Sequence, residues 1–491
     1  MAKISSPYSV PAAARKIFIE EILQNPLISR DLPPETLEYG PSIRFLGTDE
    51  PRIPINWRFA ESSAVLKALE AALVAALLKR KYGHEASLAT INTDHAQLFL
   101  ASTLLWTARD GDGIKFAAGQ DTVDNPLNQY IPDRDIHRAF SSLYRIAATN
   151  IYPTKDRKYF HLHGSLDPEP TLTLLGLPAD APANNLEEAC RPIASKVAKL
   201  HSDELQHLAS DVYRQAGVIC EDVASFRASE HGRANAHVGL WEIFARPNEL
   251  QPPTWWPASA QTSSRRPLAG LKVVDLTRVI AAPAVTRGLA ELGASVMRVT
   301  SPNITDYSAL HMDMNWGKWN SCLDLKKEED RDRLKQLIFG ADVVVQGYRP
   351  GVLDKFGFSQ EGIVELCSDR PRGIISVREN CYGWHGPWRD RSGWQQISDA
   401  CVGISEAFGR AMGLANGEPV TPVFPNSDYM TGIAGVCATL CALMRRATDG
   451  GSYKVDLALN YYNQWLASSV GEYPEPVWQA VWRLNDKPVF R

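Results

Sequence analysis

Residues 267–299 read PLAGLKVVDLTRVIAAPAVTRGLAELGASVMRV. Leu271 to Leu276 is a short β-branched run with the pattern of a buried parallel strand. Thr277 to Pro283 is a loop of small residues whose proline suits the first turn of a helix. Residues 284–292 carry apolar side chains at helical spacing, Gly293 ends the helix, and Ala294 to Val299 is a second strand. Strand, helix and strand in this order make a βαβ unit, whose crossover is right-handed. In such sheets ligands bind beyond the carboxyl ends of the strands, near helix N-termini. That places Arg278 to Ala282 at a binding crevice. The loop is not a dinucleotide fingerprint, because no G-x-G-x-x-G follows Asp275.

Working outward, the stretch after this unit keeps an α/β rhythm. Strands are expected at 320–324, 342–346 and 373–377, with a helix over 328–339. Loops follow at Gly347 to Gly351 and at the aromatic run Cys381 to Trp388. Residues 247–266, rich in Pro and Ser, form the clearest linker. Upstream, residues 62–82 give the strongest helix, with a strand from Ala86 to Ile91 and a helix from Asp94 to Leu105. Residues 185–216 are amphipathic and helical, Val218 to Val223 reads as a strand, and Ser225 to Ala234 as a helix. His161 and His163 share one strand face, but no third ligand stands nearby, so no metal site is read.

Composition narrows the function. The 491-residue chain has 44% hydrophobic and 22% charged residues, within the range of a globular protein of two or three domains. A net charge of −4 argues against a nucleic-acid partner. No run of about 18 apolar residues marks a membrane span. The N-terminus lacks the apolar core of a secretory signal, so the reading is cytoplasmic, with a mitochondrial presequence as the alternative. Eight cysteines without a C-x-x-C pair read as reduced thiols.

The run from Pro267 resembles the opening of the class III CoA-transferases, the CaiB/BaiF family: P-L-x-G-x-x-V-x-D-L-T-R-V-x-A-x-P, then L-A-x-L-G-A. It matches at Pro267, Leu268, Gly270, Val273, Asp275 to Val279, Ala281, Pro283 and Leu289 to Ala294. Further family segments match at Gly317, Lys318 and Leu323 to Leu325; at Ala341 to Val343 and Pro350 to Leu353; and at Tyr382, Gly383, Gly386 and Pro387. The resemblance implies a large Rossmann-like parallel-sheet domain with a smaller α/β domain. It also implies an interlocked homodimer or an internally duplicated pseudo-dimer. No cofactor is held permanently; coenzyme A and its acyl thioesters are substrates, with a carboxylic acid as the second partner.

An internal repeat accompanies the resemblance. Ala76 to Arg80 lies over Ala442 to Arg446, and Phe99 to Ser102 over Trp465 to Ser468, both 366 residues apart. The expected divisions are residues 1–150 as a degenerate partial large-domain repeat, 151–246 as a small α/β domain, 247–266 as linker and 267–491 as the large domain.

Asp428, in Ser427-Asp428-Tyr429-Met430-Thr431-Gly432, stands where the family carries its catalytic aspartate in S-D-x-x-x-G. By residue type alone, an Asp before an apolar helix over 429–446 is a cap. A carboxylate at a helix N-terminus is expected to stay ionised. It can attack a thioester carbonyl to form a mixed anhydride. Gly432 lies where a ligand or strand can approach the helix closely. The family's CoA loop maps to Arg278, Val279, Ile280 and Ala281. Arg298 and Arg349 stand at strand ends suited to a nucleotide phosphate. In the first repeat Ser62 aligns with Asp428, so that copy is expected to be inactive. The leading reading is CoA transfer from an acyl-CoA to a carboxylic acid; the alternative is a non-catalytic CoA-binding scaffold. Acyl-CoA racemisation is disfavoured, because Gly393 to Ser398 holds no histidine base.

Overall fold

The computed structural model describes residues 8–85, 87–110, 113–117 and 133–485. The expected strand start at Ala86 lies outside them. Strand β1 (Arg44–Leu46) leads to helix α1 (Phe59–Tyr82), then to β2 (Thr90–Asn92), which pairs parallel with β1, and α2 (Thr93–Leu98). Helix α1 buries residues on every side, including Leu66, Leu69, Leu73 and Leu77, as an internal helix must. A hairpin, β3 (Thr107–Asp110) and β4 (Gly113–Ala117), follows. Strands β5 (Asn150–Pro153), β6 (Tyr159–His163) and β7 (Ala216–Ile219) form an antiparallel sheet of three. Helices on this sheet enclose a separate core around Phe160, Leu162, Ile193 and Leu205.

The next strand, β8 (Glu242–Arg246), leaves that small unit. It pairs antiparallel with the last strand of the large sheet, Asp456 opposite Glu242. The expected division groups β8 with residues 151–246; in the structure its backbone groups are satisfied by the large sheet. The stretch after β8 is pinned by Trp256, buried and donating its indole N–H to Ala269 O at 3.2 Å.

The second half supplies β9 (Lys272–Leu276), α3 (Ala281–Glu291), β10 (Ser295–Thr300), β11 (Lys318–Cys322), β12 (Val343–Gln346) and β13 (Ile375–Asn380). Helices α4 (Gln395–Val402) and α5 (Asn426–Asp449), strand β14 (Ser452–Ala458) and helix α6 (Leu459–Trp465) complete it. The seven strands lie in the order β11-β10-β9-β12-β13-β14-β8, all parallel except β8. The chain is thus mixed α/β, with one large, mostly parallel sheet. One face packs on α3 and α5, and behind them α1, in a core that runs continuously from Ala14 to Trp478. The other face is covered around Leu334, Ile338 and Ile363. Among the described residues α5 is the one helix long and apolar enough to cross a membrane, and its apolar stretch is buried in this core. All eight cysteines are unpaired.

Candidate active site

Strand order reverses between β9 and β12, which opens a crevice at their carboxyl ends. A cavity lies there, lined by the loop Arg278 to Ala282, by Gly347 to Pro350, by Glu379 to Cys381, by Arg391 to Trp394, and by Asp428 and Leu459. All four expected loop residues, Arg278, Val279, Ile280 and Ala281, are in its wall.

The loop is held from below. Asp275, fully buried at the end of β9, accepts hydrogen bonds from Thr277 and Thr286 and pairs with the Lys318 ammonium at 2.9 Å. Lys318 also donates to Pro283 O at 3.0 Å and Thr286 Oγ1 at 2.7 Å. Each charge is therefore paired and hydrogen-bonded, which an ionic group in a dry interior requires. Above this network Val279 has φ 71°. A β-branched residue in the left-handed region is strained, and such strain persists only where the surroundings impose it.

Asp428 lies inside the first turn of α5, two residues after the helix starts at Asn426, rather than ahead of the helix as the sequence pattern predicts. Its carboxyl faces the cavity, and among the described residues no donor hydrogen-bonds to it. The expectation of an ionised group is corrected. Burial, followed by the carboxyls of Glu379 and Asp399, raises the Asp428 pKa well above the usual carboxylate range. Loss of water outweighs the helix terminus when no N–H donor compensates. Glu379, at the end of β13, is pushed up to about 8 by burial. Asp399 on α4 is pushed up to about 7 by burial, against the donors Asn463 and Gln395. The site is a set of three interacting acids, so its titration belongs to the set.

The other expected residues separate by environment. Arg278 spans two cavities: the one before Asp428 and a second that also holds Arg134, Arg298 and Asn320. Its guanidinium donates to Thr305 O at 3.0 Å and lies 5.5 Å from the Tyr348 ring centre. Arg298 lines the second cavity, but its charge is met by Asp306 at 2.6 Å. Arg349 lines the first cavity and donates to Ser165 Oγ at 3.3 Å, on the small unit. Trp394 donates to the same Ser165 Oγ at 3.1 Å. The small sheet thereby helps fix the wall opposite Asp428. Gly432 is not in the cavity wall. A Cβ there would stand 2.4 Å from Ala284 Cβ, so the close approach is made by helix α3 rather than by a ligand.

His161 and His163 are buried; His163 stacks on Trp394 at 5.4 Å and contacts Gln396. Burial pushes their pKa values down to about 4 and about 3. Neither lines the cavity. Ser62, the aligned partner of Asp428, is buried in the core, where its Oγ accepts from Tyr462 Oη at 2.9 Å. Sequence reasoning missed Glu379, Asp399, Trp394 and Tyr348. Glu379 was detectable: an acid at the carboxyl end of a buried strand has no solvent to face.

The profile of CoA-transferase family III matches residues 268–480. An acetyl-coenzyme A transferase of Hypoxylon pulicicidum is 53% identical over 99% of this chain and 82% of its own length. An acyl-CoA transferase of Gibberella moniliformis is 34% identical over 99% of this chain and 83% of its own. A CaiB/BaiF family protein from Brucella suis, a solved structure, is 29% identical with a TM-score of 0.37, over 42% of this chain and 55% of that one. The full-length matches, with the motifs that build the crevice, show that this chain belongs to CoA-transferase family III and is a CoA-transferase.

Proposed function

We propose that the chain transfers coenzyme A from an acyl-CoA thioester to a carboxylic acid through an anhydride on Asp428. The observation that carries this is an Asp428 carboxyl with no hydrogen-bond donor, facing a cavity built from the CoA loop. A carboxylate oxygen of Asp428 attacks the thioester carbonyl, the C–S bond breaks and CoA thiolate leaves. The thiolate then attacks the aspartyl carbonyl, giving an aspartyl-CoA thioester and releasing the donor acid. The acceptor carboxylate attacks the aspartyl thioester and expels CoA thiolate, giving a second anhydride; the thiolate then attacks the acceptor's carbonyl, forming the new acyl-CoA and releasing the Asp428 carboxylate. The cavity that holds Arg134 and Arg278 suits the phosphorylated end of CoA. The acetyl-coenzyme A transferase relative makes acetyl-CoA the first donor to test.

Two features of the chain support an internally duplicated, Rossmann-like reading. Taken from β9, the parallel strands lie in the order 3-2-1-4-5-6 of the doubly wound fold. Helices α1 and α5 are each 24 residues long, and the changes from strand to helix at Asn92–Thr93 and Ala458–Leu459 are 366 residues apart. In this reading, the first half provides an inactive large-domain fragment and the small domain, and the second half provides the working large domain. A pseudo-dimer pairing is then made within one chain.

The test is mass spectrometry after incubation with acetyl-CoA and other acyl-CoA thioesters in hydroxylamine, wild type beside Asp428→Ala. A hydroxamate on Asp428 in wild type alone is expected, with transfer lowered on the order of 10⁴-fold in the variant. Undiminished transfer by Asp428→Ala would overturn the assignment.

A further inference from the structure

Away from the CoA crevice, three potential ligand side chains converge where the two halves of the chain meet. His237 and Glu242 come from the approach to β8 and its first residue, and His385 from the aromatic loop after β13. One ligand atom from each lies within 4.8 Å of the other two. His385 Nε2 lies 2.9 Å from both Glu242 oxygens, and His237 Nε2 lies 3.8 Å from Oε1. The imidazole rings are 4.7 Å apart, edge to face.

We propose that His237, Glu242 and His385 form a zinc site that ties β8 to the loop after β13. Zinc bonds of about 2.0–2.2 Å put tetrahedral ligand atoms about 3.3 Å apart. The observed separations of 2.9 and 3.8 Å bracket that value, so small side-chain rotations admit the ion. Two imidazoles and a carboxylate are a zinc donor set, and water fills the fourth position. His237 is exposed and gives the ion a way in.

Glu242 is buried and accepts from Tyr461 Oη at 3.0 Å, which orients the carboxylate. The His385 backbone is clamped by Asn235, whose amide donates to His385 O at 3.0 Å and accepts from His385 N at 3.3 Å. Among the described residues no lysine or arginine pairs with Glu242, so its charge is left to the histidines. Zinc at Nε2 takes the place of the proton in the His385–Glu242 hydrogen bond; that proton passes to Nδ1 or to solvent, and no redox step is involved. None of the three residues lines the cavity before Asp428, so the site stands independently of the transfer mechanism.

The experiment uses the full chain stripped with a chelator, titrated with zinc chloride by calorimetry and with cobalt chloride by absorption. One equivalent of zinc is expected, with a rise in the thermal midpoint. His237→Ala, at an exposed position, is expected to weaken binding by more than about 10–100-fold, beyond the loss seen when a residue that only orients a ligand is changed. The cobalt form should show visible d–d bands without thiolate charge transfer. His385→Gln is the second variant and should lose the same equivalent. Failure to take up zinc, affinity unchanged in either variant, or a thiolate band pointing to the cysteines would each overturn the proposal.

Discussion

In the proposed mechanism Asp428 must lose a proton before it can attack. Its raised pKa means the nucleophilic fraction grows as pH rises, so the acid limb of kcat/KM belongs well above the range of a free carboxyl. Glu379, with a pKa of about 8, adds negative charge as it ionises and holds Asp428 up further. Glu379→Gln removes that charge. A kcat/KM profile across pH should show the acid limb moving to lower pH in this variant; an unmoved limb would separate Glu379 from the nucleophile's titration. The sequence made Asp428 legible through its motif, and Arg278 to Ala281 through their place after a buried strand. It did not make the protonation legible, because that depends on Glu379 and Asp399, which arrive from a different strand and helix. Arg298 shows the converse: its position at a strand end was readable, whereas its pairing with Asp306 was not.

At the level of elements, the helix that carries Asp428 is set by a tight contact. Gly432 faces Ala284 and Gly288 faces Val436, so α3 and α5 meet with almost no side chain between them. Gly432→Ala should cost about 1–3 kcal/mol through overpacking, larger than the helix-propensity gain of about 1 kcal/mol. The midpoint of urea unfolding would measure it, and a stabilised variant would show that α3 can move aside. The long helices and the βαβ unit were readable because their periodicity spans many residues. Strand β8 was not: five residues, Glu242–Arg246, carry little pattern, and only the exposed edge of β14 decides where they go. A division drawn at a proline-rich linker groups β8 with the residues before it, whereas its backbone pairing joins it to the large sheet.

For the molecule as a whole, the shared core has a direct consequence. Residues 267–491 alone would leave bare the face of α5 that α1 covers and the edge of β14 that β8 covers. That fragment is expected to aggregate or to lack a cooperative transition, and co-production with residues 1–266 is expected to give a soluble 1:1 complex. A fragment 267–491 that unfolds cooperatively by itself would show that the halves do not depend on each other. This dependence was partly legible from the repeat, but a match of segments does not say that they pack together.

Helix α1 is apolar on nearly every side, and the helix that covers it lies 367 residues later, since α1 begins at Phe59 and α5 at Asn426. A ribosome adding about 5–20 residues per second leaves that interval open for about 20–70 s. During that time α1 can pack on α2 and on the helices that precede it, but the face that α5 covers has no native partner yet. The chain's yield in a cell therefore depends on holdase supply and on the pace of translation, before any CoA is bound.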